Sequence, residues 1–137
     1  SCHCGRITYE AVADPEKVGI CHCTDCQMLT GSVYRVSIPV PSETFSLRTG
    51  TPKIYIKTAE SGVQRAHAFC SDCGAPIYAA AIKDPPTYSL RVGCLKQRAA
   101  LPPRMRYTSH VFSMWQPTAS ALCHFGGLSR NHCGFGA

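Results

Sequence analysis

Cys21-His22-Cys23-Thr24-Asp25-Cys26 places three thiols within six residues. Ionised sulfurs this close repel one another, and a soft cation relieves the repulsion. Zn²⁺ takes cysteine sulfur at about 2.3 Å in a tetrahedral shell. Three protein ligands leave the fourth position open, which is the pattern of reactive zinc, whereas closed four-ligand shells are structural. A zinc ion with three thiolates carries a net negative charge, so it activates water less than a three-histidine centre does. Such a centre suits binding a thiol, which keeps much of its nucleophilicity, better than making hydroxide. A fourth ligand from His3, His22, His67 or Cys94 would instead close the shell.

The other paired cysteines form a set of their own. Cys70-Ser71-Asp72-Cys73-Gly74 has the chemistry of a zinc knuckle: two sulfurs on a tight turn, with a glycine that lets backbone N–H groups face them. Cys2-His3-Cys4-Gly5 is a shorter version. The two pairs make one Cys₄ shell and close a loop of about 65 residues, where a cross-link removes much chain entropy. Cys2, Cys4, Cys70 and Cys73 therefore read as a structural zinc site. A redox Cys-x-x-Cys would call for a βαβ setting, which the pattern lacks. Cys94, in Val92-Gly93-Cys94-Leu95, reads as a small buried hydrophobe. Cys123-His124 and His132-Cys133 read as chance neighbours in a featureless tail.

The 137 residues are the length of one domain and can bury a core without staples. Ten cysteines could be a disulfide framework or metal ligands. Frameworks belong to small secreted domains that lack a core, and no charged-then-apolar signal segment starts this chain. Metal ligation and a reducing, cytoplasmic setting are the expectation. The formal charge of +6 counts cysteines as neutral, and zinc-bound thiolates would lower it. There is no dense Lys/Arg run to suggest nucleic-acid binding. No apolar run approaches the roughly 20 residues of a membrane helix.

The elements that must position these groups are short. Residues 5–13 read as a strand carrying Ile7 and Tyr9, and Lys17 to Ile20 as a strand leading into the three-cysteine segment. Thr24 to Leu29 can turn helical and stop at Gly31. Residues 33–40 alternate, with Tyr34, Val36, Ile38 and Val40 on one face, Arg35 and Ser37 on the other, and Pro39 placing the end at an edge. Further strands are expected around Phe45 and Leu47, at Ile54 and Ile56, from Val63 to Phe69, Ile77 to Ile82, Tyr88 to Val92 and Arg104 to Phe112. Arg35, Arg48, Arg65 and Arg91 read as strand-surface charges, any of which could pair with a substrate carboxylate. Trp115 reads as a core plug. The strand spacing, with 11 glycines and 10 prolines between, predicts a mainly β, antiparallel domain over 1–115 and an irregular extension over 116–137.

These motifs resemble the glutathione-dependent formaldehyde-activating enzyme family, which also includes centromere protein V. The resemblance rests on Cys2-His3-Cys4-Gly5-Arg6-Ile7-Thr8-Tyr9, Cys21-His22-Cys23-Thr24-Asp25-Cys26 with Leu29-Thr30-Gly31-Ser32, Phe45-Ser46-Leu47 with Gly50, and Phe69-Cys70-Ser71-Asp72-Cys73-Gly74-Ala75-Pro76-Ile77. Gly93, Leu95 and Trp115 extend it. It implies a β-tent of small curved antiparallel sheets around two zinc sites. Cys2, Cys4, Cys70 and Cys73 match structural ligands, and Cys21, Cys23 and Cys26 match catalytic ones. The implied reaction is that of a carbon–sulfur lyase joining glutathione and formaldehyde into S-(hydroxymethyl)glutathione. Gln27, Cys94 and Lys96-Gln97 depart from the usual family residues. Two other readings stand beside this one. One is a non-enzymatic zinc module that binds a macromolecule. The other is a methionine sulfoxide reductase-like thiol enzyme, for which Cys94 is the candidate thiol.

Overall fold

A computed structural model describes residues 1–58 and 62–106, and those residues are mainly β. The strands are β1 (Thr8–Glu10), β2 (Gly19–Cys21), β3 (Arg35–Pro41), β4 (Ser46–Thr49), β5 (Lys53–Thr58), β6 (Gln64–Phe69), β7 (Pro76–Ala80), β8 (Thr87–Arg91) and β9 (Met105–Arg106). A single α-helix, α1 (Thr24–Thr30), sits among them. The larger sheet runs β5-β6-β7-β8-β3-β2-β9, and β1 pairs with β4 in a separate ribbon. All pairings are antiparallel except β2 with β9. That parallel pair departs from the all-antiparallel expectation. The chain from β8 passes through one-turn 3₁₀ segments at Val92–Cys94 and Arg98–Ala100 and returns along β2 in the same direction.

Two apolar clusters form the core. Cys2, Ile7, Ala68, Cys70 and Ile77 pack around one end, and Val18, Ile38, Val40, Leu90 and Val92 around the other. Tyr9 and Tyr78 pack against both clusters. Phe45 joins these tyrosines by stacking on Tyr88 at 4.6 Å and meeting Tyr78 edge-on at 5.4 Å. Such ring pairs contribute beyond their buried area.

Strand β3 pairs at Arg35 and Val36 with β2, and at Ser37 with both β2 and β8. Beyond Ser37 it pairs with β8 alone, so Pro39 does sit on a local edge where its missing N–H costs nothing. The expected faces fail at its first half. Arg35 and Ser37 are buried, and Tyr34 is exposed. Alternation fixes which residues share a face, but not which face is covered. Here the Arg35 face is covered too.

Gly50, in the turn between β4 and β5, has φ +71, and a Cβ there would stand 2.6 Å from the Arg6 carbonyl oxygen. Gly50→Ala is expected to cost at least about 1–2 kcal/mol, from left-handed backbone strain alone. The measurement is urea unfolding, with a lower midpoint at unchanged slope.

Part of the expected Arg104–Phe112 strand appears as β9. Its remainder, Trp115, the boundary at residue 115, the 116–137 extension and the pairs Cys123-His124 and His132-Cys133 lie outside the described residues. Among the described residues no helix is long and apolar enough to cross a membrane.

Candidate metal centres and an adjoining cavity

The seven cysteines of the tight groups gather into two clusters. Cys2, Cys4, Cys70 and Cys73 form one, and Cys21, Cys23 and Cys26 the other, with sulfurs within 4.8 Å of one another in each. Cys2 and Cys4 sulfurs stand 3.5 Å apart, Cys4 and Cys70 3.7 Å, and Cys21 and Cys23 3.4 Å. A tetrahedral shell with arms of about 2.3 Å has sulfur–sulfur edges of about 3.8 Å. A disulfide would need about 2.05 Å. The spacing therefore fits a shared cation, and none of the eight described cysteines forms a disulfide.

The four-sulfur cluster joins two matching turns. The Cys2 N–H donates to the Ile7 carbonyl and the Gly5 N–H to the Cys2 carbonyl; the Cys70 N–H donates to Ala75 and the Gly74 N–H to Cys70. Gly5 and Gly74 both have positive φ, +78 and +71. The left-handed glycine at Gly74 turns the chain so that amides face sulfur. The Ile7 N–H points at Cys2 Sγ at 3.2 Å. Amides of Ala75 and Cys4 draw the Cys73 thiol down to about 6. Arg6 pairs with Asp72 across the two turns.

The three-sulfur cluster is built from one local stretch. Cys21 ends β2, Cys23 is the extended N-cap of α1, and Cys26 lies in its first turn. A seven-residue helix is too short to hold itself. Gly31 closes it through an N–H bond to Gln27. The Gln27 side chain donates to the carbonyls of His22 and Val33, and Asp25 pairs with Lys57 of β5. The Cys21 thiol, followed by burial, pushes the Cys26 thiol far above its ordinary range. Without a cation these sulfurs therefore share protons rather than stand as thiolates.

The suggested fourth ligands go elsewhere. Among the described residues, no histidine or further cysteine belongs to the three-sulfur cluster. His22 is buried, and its Nδ1 lies 3.2 Å from the Val33 carbonyl, so that nitrogen carries the proton. His67 Nδ1 accepts from Arg91 Nη2 at 3.4 Å. Cys94 is half-buried and its thiol donates to the Pro76 carbonyl at 3.1 Å. Burial pushes that thiol up, so its geometry and charge state oppose the role of a reactive thiolate.

A cavity of about 380 Å³ is lined in part by Arg35, Tyr55, His67, Gly74, Tyr78 and Arg91; none of the three clustered cysteines lines it, and Arg35, which stands opposite Cys21 in the strand register, links the two. Arg48 and Arg65 are surface charges as expected, Arg48 pairing with Glu10. Arg35 and Arg91 are not: both are buried and face this cavity. Their positions in the sequence gave no sign of this. Only the strand register, which sets Arg35 opposite Cys21 and Arg91 opposite Ser37, brings them to the site.

Burial, then the charge of Arg91, pulls the His67 imidazole down to about 4. A histidine in the unfolded chain titrates near 6.5, so between about 4 and 6.5 the unfolded state binds more protons. The stability tied to His67 is thus complete above about pH 6.5 and is lost as pH falls towards 4. Imidazole NMR should find His67 still neutral at pH 5. Relative to wild type, His67→Gln should lose less stability across that window.

The model of the glutathione-dependent formaldehyde-activating enzyme family matches residues 1–124. Among solved structures, a protein of Rhodobacter sphaeroides is similar, with a TM-score of 0.60 at 17% identity over 78% of this chain and 97% of that one. At that identity the likeness speaks for the fold alone.

Proposed function

Because the chain belongs to the glutathione-dependent formaldehyde-activating enzyme family, we propose that it is a zinc-dependent carbon–sulfur lyase. In this reading it joins glutathione and formaldehyde into S-(hydroxymethyl)glutathione. Cys2, Cys4, Cys70 and Cys73 would hold a structural zinc ion, and Cys21, Cys23 and Cys26 a catalytic one. The observation that carries the proposal is the contrast between the clusters: four sulfurs in one, and three with no fourth described ligand in the other.

Zinc, when bound, would supply a cation that keeps a thiol in its thiolate form at neutral pH. The chain's own residues do the rest. Arg35 adds positive charge that favours thiolate at Cys26. Gln27 and His22 hold the ligand loop in place through the Val33 carbonyl. The cavity that Arg35 and Arg91 line offers a space for the reactants. In the reaction a sulfur electron pair bonds the aldehyde carbon. The carbonyl π pair moves to oxygen, and oxygen takes up the proton that the thiol released. Thiol chemistry of this kind fits a reducing compartment such as the cytoplasm.

The test is to mix glutathione and carbon-13 formaldehyde with metal-loaded protein and follow adduct formation by NMR exchange. Acceleration above the spontaneous rate is expected. A rate equal to the spontaneous one would end the proposal.

A further inference from the structure

Two guanidinium groups are buried together without a carboxylate. Arg35 on β3 and Arg91 on β8 are each 6% exposed. Among the described residues, the Nε of each has no hydrogen-bond partner. Among the described residues, no carboxylate forms an ion pair with either. Burying a charge is costly unless it is paired, and burying two like charges side by side costs more.

The register makes them neighbours. Arg91 stands opposite Ser37, two residues along β3 from Arg35, so both side chains share one face. Burial first, then the charge of Arg35, lowers Arg91 to about 10. Of the charged groups around them, Asp25 is already paired with Lys57. His67 is neutral and takes one Arg91 N–H. The nearby charges of Arg65 and Lys57 are positive. Cys21 and Cys26, when ionised as metal ligands would be, favour Arg91 in its charged form. A zinc ion with three thiolates would carry one negative charge against two guanidiniums, which leaves one positive charge to be neutralised. Both arginines line the 380 Å³ cavity, a volume suited to a small organic ligand.

We propose that Arg35 and Arg91 form an anion subsite that holds a carboxylate of the thiol substrate and so fixes where its sulfur meets Cys21, Cys23 and Cys26. This rests on the reading of that cluster as a thiol site. The guanidinium fork suits a planar carboxylate, and a carboxylate supplies the one charge the cavity lacks. The subsite selects thiols that carry a free carboxylate over neutral thiols of equal reactivity.

The experiment is calorimetric titration of the metal-loaded protein with three probes. Glutathione has thiol and carboxylates, its diethyl ester keeps only the thiol, and S-methylglutathione keeps only the carboxylates. The ester should bind about 10- to 100-fold more weakly than glutathione, the range for losing hydrogen bonds to charged groups. Arg35→Met and Arg91→Met should erase that preference, and Arg91→Lys should keep part of it. Equal affinity for glutathione and its ester in the wild type overturns the subsite whether or not the variants fold. If S-methylglutathione binds as well as glutathione and the ester does not, the subsite stands and the thiol reading falls. If the ester matches glutathione while S-methylglutathione fails, the thiol reading stands and the subsite falls.

Discussion

Protein carrying Cys73→Ser is expected to hold one metal ion fewer per chain and to melt at least about 10 °C below the wild type. The reason is where the four-sulfur cluster sits. Two of its members, Cys2 and Cys70, are 3% and 1% exposed and belong to the same core cluster as Ile7, Ala68 and Ile77. Without a cation, Cys4 would crowd these two buried sulfurs at 3.5–3.7 Å. Structural zinc supplies of order 10 kcal/mol in small zinc modules, comparable to the whole stability of a domain. Losing even a third of that moves the melting point by roughly 10 °C. Calorimetric melting with metal analysis is the measurement, and a chelator added to wild type should reproduce the shift. An unchanged melting point would remove the structural role.

Cys23→Ser is expected to do the opposite. It should lose the other metal ion and reduce adduct formation to the spontaneous rate, while melting within about 3 °C of wild type. Its cluster closes only short loops within one stretch, so metal there removes little chain entropy. Cys21, Cys23 and Cys26 are half-buried and belong to neither apolar cluster. Equal destabilisation by the two substitutions would show that the division into frame and reaction centre is wrong.

The cysteine clusters were legible in the sequence because their spacing is itself the chemistry. Two sulfurs on one turn can reach a common ion wherever the turn lies. Helix α1 was legible for the same local reason, with Gly31 as its stop. The cavity was not. Arg35 sits in an alternating strand whose apolar partners looked like the buried face, and no local signal marks a strand covered on both sides. Arg91 and His67 reach the site only through pairings that link β6, β7, β8 and β3. His67 looked like a possible ligand because histidine binds metal. Its place beside Arg91 makes it a neutral lining residue instead.

The layout of the sulfurs also orders events while the chain is being made. The three-sulfur group is complete as soon as Cys26 emerges. The four-sulfur group must wait for Cys73, which follows Cys26 by 73 − 26 = 47 positions. At ordinary translation speeds that is a delay of about 2–9 s. Nascent protein thus passes through a stage in which the local cluster is complete while Cys2 and Cys4 still lack their partners Cys70 and Cys73.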